Sequence, residues 1–532
     1  MSRESGSGIL RSSFGVAFAT LSSRILGLLR VMLEARVLGG GSIASAWFLA
    51  FALPNLLRRL LGEGALGTAL IPIITETEVR EGETAVRRDL GVVFGVLGLL
   101  LAVIVAVVSA GAWLLLELAP HSDIELLKTE RTGLMLQLLI ILMPYAFFIC
   151  LIGVIGAVLN TCKQFVLPAL GALLLNIFLV CGLLWGFMAG VSDITDFLHV
   201  QAYLVLTSGI LQFILMVFLL YRYRRLPFFS LGMFRNTKVL KELWHLALPG
   251  FIGGMALQIS FLVDRFIAFS IGPQAVPALT NVDRIIDLPI GIFAISLGSV
   301  LMASISRSAA SGNSDEIADN LSFCLRHVFF ISVPMACGML FLWRPVLTIL
   351  CLGGNYTVED LDATRTVALF YGLGIPLFCT LKVILPAYYA RKQMRLPLIS
   401  SLTAICVNIV LNLVLMFPLK QGGIALATVI SSLVNNALLV IFLKRQGIFL
   451  HWQQILSSLL RCTIPAFAAG AGGLAFYRMI RQYFSAAWHG ECEAFLLTGA
   501  VFALIYFSGT FLLKAPETKE LKTMVSRRKA AQ

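Results

Sequence analysis

Residues 90–116 read LGVVFGVLGLLLAVIVAVVSAGAWLLL, apolar on every face and without a charged side chain. A helix rising about 1.5 Å per residue over that length more than crosses the roughly 30 Å hydrocarbon core of a bilayer. A barrel strand is excluded, because such strands are about ten residues of alternating polarity. Working outward, the chain offers fourteen such stretches separated by short polar breaks: 9–38, 43–72, 90–117, 133–160, 165–187, 200–221, 242–270, 278–304, 323–352, 366–389, 396–417, 423–443, 455–477 and 493–513. The expected fold is therefore an all-α polytopic membrane protein. Composition agrees: of 532 residues 58% are hydrophobic and only 13% charged, against about 25% charge in a soluble chain. No aqueous fold hides that much apolar surface.

The net charge of +13 does not point to nucleic acid, because the cations lie between the apolar runs, beside anionic headgroups. With the N-terminus inside, the inner segments hold twenty-five Lys and Arg and the outer loops six. This asymmetry predicts a multi-pass protein with both termini cytoplasmic. Ten cysteines without a CxxC pair argue against zinc and against a disulfide framework.

Two short echoes suggest an internal repeat. Lys163-Gln164 with Pro168 recurs as Lys392-Gln393 with Pro397, and Leu53-Pro54 recurs as Leu288-Pro289. Six spans separate the members of each pair, so the halves would be parallel repeats. The expected domains are an N-lobe at 1–225, an interfacial linker at 226–241, a C-lobe at 242–445, and two appended spans with a basic tail at 446–532.

Cations sit where lipid should forbid them. An Arg at a span centre costs roughly 2.5–3.5 kcal/mol, and Arg24, Arg30, Arg58, Arg59 and Arg284 all fall within spans one, two and eight. A wet cavity or an anionic partner is implied; a salt-bridge network with Glu34, Glu63, Asp264, Asp283 and Asp287 is the structural alternative. Arg24 and Arg30 face directions about 120° apart, so they would border a broad cavity. Arg58 and Arg59 are adjacent, so only one of them points at any shared centre. A planar guanidinium offers paired donors to phosphate oxygens. Gly27 and Pro54 interrupt the same spans and are candidate hinges, or sites of close helix packing. Asp264, Asn408, Asn412 and Thr428 supply oxygens that would suit Na⁺; the alternative is that Asp264 pairs with Arg265 and the asparagines bridge helices.

These residues carry a resemblance. Ser23-Arg24-Ile25-Leu26-Gly27 with Arg30, then Leu53-Pro54-Asn55-Leu56-Leu57-Arg58-Arg59 with Glu63-Gly64-Ala65, closely resemble the opening of the MurJ (MviN) family. Gly156 to Thr161, Asp283-Arg284 with Asp287 and Pro289, and Tyr389-Ala390-Arg391 extend the match. The resemblance implies a lipid II flippase of the multidrug/oligosaccharidyl-lipid/polysaccharide exporter superfamily. Such a protein carries undecaprenyl-diphosphate-linked peptidoglycan precursor from the inner to the outer leaflet by alternating access around a cationic cavity. That cavity is matched here by Arg24, Arg30, Arg58 and Arg284, and the last two spans would form a groove for the polyprenyl tail. Lipid II and membrane lipids are the expected partners, with no nucleic acid, and no cofactor apart from the candidate Na⁺. Family members often carry acids where this chain has Val31 and Ser45, so its gate must close differently. Two rivals are an exporter of drugs or of another lipid-linked glycan on the same fold, and a polyprenyl-phosphate transferase. The six scattered histidines and the absence of an HExxH motif argue against the enzyme.

Overall fold

The computed structural model describes residues 22–62, 65–164, 166–190, 193–229, 238–310, 313–391, 393–485, 487–518 and 520. Apart from an isolated bridge between Gly353 and Tyr356, regular structure among them is helical. Nine of the described helices are long and apolar enough to cross a membrane. The chain divides into two compact units, Met1–Pro277 and Ala278–Gln532.

The first unit holds α1 (22–38), α2 (Ser42–Leu57), a π-helical turn (Arg58–Gly62) and α3 (Ala65–Glu81). It continues with α4 (Glu83–Leu118), α5 (Glu130–Thr161), α6 (Val166–Ala189), α7 (Ile194–Arg222) and α8 (Lys238–Ile271). α5 is its hub, packing on α2, α3, α4, α7 and the π turn. Polar residues start the helices in solvent: Thr129 caps α5, and the Asp193 carboxylate accepts the Thr195 N–H at 2.8 Å at the start of α7, satisfying donors that have no partner within the helix.

The second span, expected as one run over 43–72, is broken. Pro54 lies inside α2 and lacks the N–H that would bond the carbonyl one turn back. Downstream the helix widens into the π turn, a distortion that recurs at functional sites, and α3 runs on to Glu81. The turn is seated on α5 at a backbone crossing: a Cβ added at Gly153 would lie 2.1 Å from the Gly62 carbonyl oxygen, closer than atoms can approach.

The chain leaving α7 is strapped to α3 and α4. Arg87 Nε donates to the Leu226 carbonyl at 2.8 Å, the Phe228 N–H donates to the Arg87 carbonyl at 2.9 Å, and the Arg87 guanidinium lies 3.8 Å from the centre of the Phe228 ring. Gly91 makes room: a Cβ there would stand 1.9 Å from the Phe228 oxygen. Arg225 pairs with Glu78. Burial alone would pull its guanidinium down, but hydrogen bonds to Glu78 and Cys162 carry it above its ordinary value.

The second unit runs from α9 (Ala275–Ala310) through α10 (Ser314–Leu350), α11 (Val358–Ala390), α12 (Arg395–Leu419) and α13 (Gln421–Arg445) to α14 (Trp452–Ile480) and α15 (Trp488–Leu512). α10 packs on α11 and α14, α12 on α13, and α14 on α15. α10 bends at Leu342, whose φ of −113° is not helical, three residues before Pro345.

After α15 the chain folds back instead of leaving the protein. Glu517 is wholly buried, accepts the Ser458 hydroxyl at 2.8 Å and lies 3.5 Å from Arg326 on α10. Glu520 adds a 3.3 Å contact to Arg326 and a 3.1 Å contact to His327. Glu517→Ala should lower stability by about 1–3 kcal/mol, because it leaves a largely buried guanidinium and a hydroxyl underbonded. The check is thermal unfolding together with tryptic cleavage at Lys514. A lower melting temperature and faster cleavage are expected; unchanged values would mean that the fold-back contributes nothing.

Candidate cation-lined substrate site

On α1 a polar chain is threaded across to α6. Arg30 Nη1 donates to Asn176 Oδ1 at 3.0 Å, and Asn176 Nδ2 donates to Ser23 Oγ at 3.3 Å. Ser23 and Arg30 are two helical turns apart, so one amide spans both. One turn further, Glu34 Oε1 lies 3.7 Å from Arg30 Nε, with side chains 3% and 16% exposed respectively. Glu34, one of the acids offered as a partner for the span arginines, thus stands within ion-pair reach of Arg30. Arg24 is half-buried on the same helix. A Cβ at Gly27 would meet nothing within 4 Å, so close packing does not demand that glycine. Val31 and Ser45 are both buried.

The π turn carries the next two cations. Arg58 Nε donates to Asn55 Oδ1 at 3.0 Å, one turn back beside Pro54. Arg59 is exposed and lies 5.9 Å from the centre of the Phe261 ring of α8, while Arg265 covers the same ring at 4.6 Å. Adjacent positions of the turn thus diverge. Glu63 lies outside the described residues.

In the second unit Asp283 and Arg284 are half-buried and Asp287 is exposed on α9, the two acids one turn apart. Asn412 Nδ2 donates to Asn408 Oδ1 at 3.1 Å and Asn408 Nδ2 to Thr428 Oγ1 at 3.4 Å. Those three side chains form a polar bridge from α12 to α13. Asp264 is buried on α8 of the first unit, next in sequence to buried Arg265. Among the described residues no group of three or more His, Cys, Asp or Glu is placed to hold a metal ion.

Asn176 and Phe261 were not singled out from the sequence. Asn176 had a signal, since it is an amide within the apolar stretch 165–187, where a polar group must find a partner. Phe261 had none, because a phenylalanine in an apolar span looks the same whether or not a cation covers it. Chemically, the first unit offers planar guanidinium groups on α1 and the π turn, partly held by neutral amides, an arrangement suited to an anion with several oxygens.

Comparison with known proteins gives a consistent result. Residues 34–489 match the family profile described as Lipid II flippase MurJ. A Vibrio cholerae protein named Probable lipid II flippase MurJ is 30% identical over 455 residues, covering 83% of this chain and 84% of its own length. One from Rhizobium tropici with the same name is 30% identical over 473 residues, covering 88% and 87%. Among solved structures, one described as Lipid II flippase MurJ in an inward closed conformation superposes with a TM-score of 0.76 at 24% identity, covering 95% of this chain and 99% of that one. An inward-facing multidrug resistance transporter of the MATE family shares the fold at a TM-score of 0.59 and 15% identity, covering 80% and 94%.

Proposed function

The chain belongs to the lipid II flippase MurJ family, and from that premise we propose that it carries lipid II from the inner to the outer leaflet of a bacterial inner membrane. The observation that carries this reading is the pair of arginines held inside the first unit, Arg30 by Asn176 and Glu34, and Arg58 by Asn55. Keeping a guanidinium in a span costs roughly 2.5–3.5 kcal/mol, and a diphosphate cargo offsets that cost each time it binds.

In this reading Arg30 and Arg58 grip the diphosphate oxygens and Arg24 and Arg59 of the first unit act on the same headgroup; Arg284 is a candidate cargo contact of the second unit, and the polyprenyl tail stays in lipid along α14 and α15. The protein exposes the headgroup to one leaflet and then to the other, with both termini cytoplasmic. The sequence has no GxxxxGK[ST] run, so the proposed drive is electrical, not nucleotide hydrolysis. An inside-negative potential is worth about 2.3 kcal/mol per charge per 100 mV and favours return of the emptied cationic site toward the cytoplasm.

The test is to replace an essential lipid II flippase with this chain in cells and to measure lipid II accessible at the outer leaflet. Restored exposure and growth are expected. Growth arrest with the chain present in the membrane at normal abundance would reject lipid II as the cargo and favour another lipid-linked glycan.

A further inference from the structure

We propose that Asn176 is a positioning residue for the anion site: a neutral amide that aims Arg30 without cancelling its charge. The inference rests on the reading of Arg30 as a cargo-binding residue and adds to it a residue on a different helix, with no charge of its own.

Hydrogen-bond geometry determines the orientation of the amide. Its oxygen accepts from Arg30 Nη1 at 3.0 Å, so its nitrogen faces the Ser23 hydroxyl, to which it donates at 3.3 Å. Flipping the amide would present NH₂ to a guanidinium, donor against donor. Arg30 is therefore drawn at one end toward α6 by a neutral acceptor at ordinary hydrogen-bond length. Its Nε stands 3.7 Å from the Glu34 carboxylate, beyond the roughly 2.7–2.9 Å of a tight charge-assisted bond. A guanidinium collapsed onto a carboxylate in a low-dielectric span has little attraction left for a phosphate.

The residue types at position 176 then separate cleanly. An aspartate would keep the length of the side chain and its acceptor, but place a negative charge on Arg30 and take the donor away from Ser23. An alanine would remove the hold from α6 and leave Arg30 to relax toward Glu34. Of the three, the amide alone holds the cation from α6 and adds no opposing charge.

The experiment uses the full chain in lipid nanodiscs, with undecaprenyl diphosphate as the probe. Asn176→Asp and Asn176→Ala are each made in the parent and in an Arg30→Ala background. Peptide-level modification of Arg30 by phenylglyoxal is followed in the parent background, and melting temperatures establish that each variant is folded. Asn176→Asp should weaken probe binding by roughly tenfold or more and slow modification of Arg30. Asn176→Ala should weaken binding less and change the modification rate. Neither should weaken binding further once Arg30 is alanine, since coupled residues are non-additive.

Parent-like binding and modification in Asn176→Asp would overturn the inference. So would an equal loss of binding in the Arg30→Ala background, which would make Asn176 a packing residue that acts independently of Arg30. If Arg30→Ala itself bound the probe normally, the cargo-binding reading would fall, and the modification rates alone would decide whether Asn176 positions Arg30.

Discussion

Arg30→Ala and Arg58→Ala should each reduce outer-leaflet lipid II to the level of cells lacking a flippase, with the protein still in the membrane. Each guanidinium supplies charge-assisted hydrogen bonds worth about 1.5–3 kcal/mol apiece, so losing one should weaken the grip on a diphosphate by roughly ten- to a hundredfold. Arg30→Lys separates charge from shape. It keeps the cation but loses the planar fork and the bond to Asn176, and should fall between parent and alanine. Arg284→Ala is expected to behave like Arg58→Ala. By contrast Arg461, whose side chain is exposed and donates to the Lys514 carbonyl at 3.0 Å, should tolerate alanine. Normal exposure in the Arg30 and Arg58 double variant would reject the site.

The other large effect is steric and has the opposite sign from what helix propensity predicts. Gly153 lies within α5, where Gly→Ala ordinarily stabilises by about 1 kcal/mol. Here the new Cβ would stand 2.1 Å from the Gly62 oxygen and 2.5 Å from its Cα. Backbone, not a yielding side chain, blocks it. Gly153→Ala should therefore destabilise by about 1–3 kcal/mol or more and push the π turn with Arg58 and Arg59 off α5, reducing transport along with the melting temperature. Gly67→Ala, at the neighbouring α3–α5 contact, is the control: its Cβ would meet Ala157 Cβ at 3.4 Å, an ordinary contact, and the variant should retain both. A stabilised, active Gly153→Ala would mean that the crossing is looser than described.

Much of this was legible before any coordinates. Lipid-facing helices declare themselves through runs such as 90–116, because a bilayer imposes both length and polarity. Helical arithmetic separated Arg58 from Arg59, and the asparagines weighed as a bridge between helices are hydrogen-bonded to each other and to Thr428. The break in the second span was only half visible. Pro54 announces a distortion, but whether the helix kinks, ends or widens into a π turn depends on what packs against it, and Gly153 is ninety-nine residues away. The same limit hid Asn176, whose partners lie on another helix. It also hid Glu517, whose stretch reads as a solvated basic tail until α10 supplies Arg326. Contacts set by neighbours distant in sequence leave no local period to read.

The central claim is that this chain moves diphosphate-linked cargo across a bilayer through arginines in its spans. Its most direct test is reconstitution of the purified protein in vesicles carrying fluorescent lipid II in both leaflets, with a membrane-impermeant quencher added outside under an imposed inside-negative potential. Quenching is expected to proceed past the outer-leaflet fraction toward completion for the intact protein, and to stop at that fraction for Arg30→Ala. Quenching that halts there for the intact protein, or runs to completion equally in Arg30→Ala, would contradict the claim.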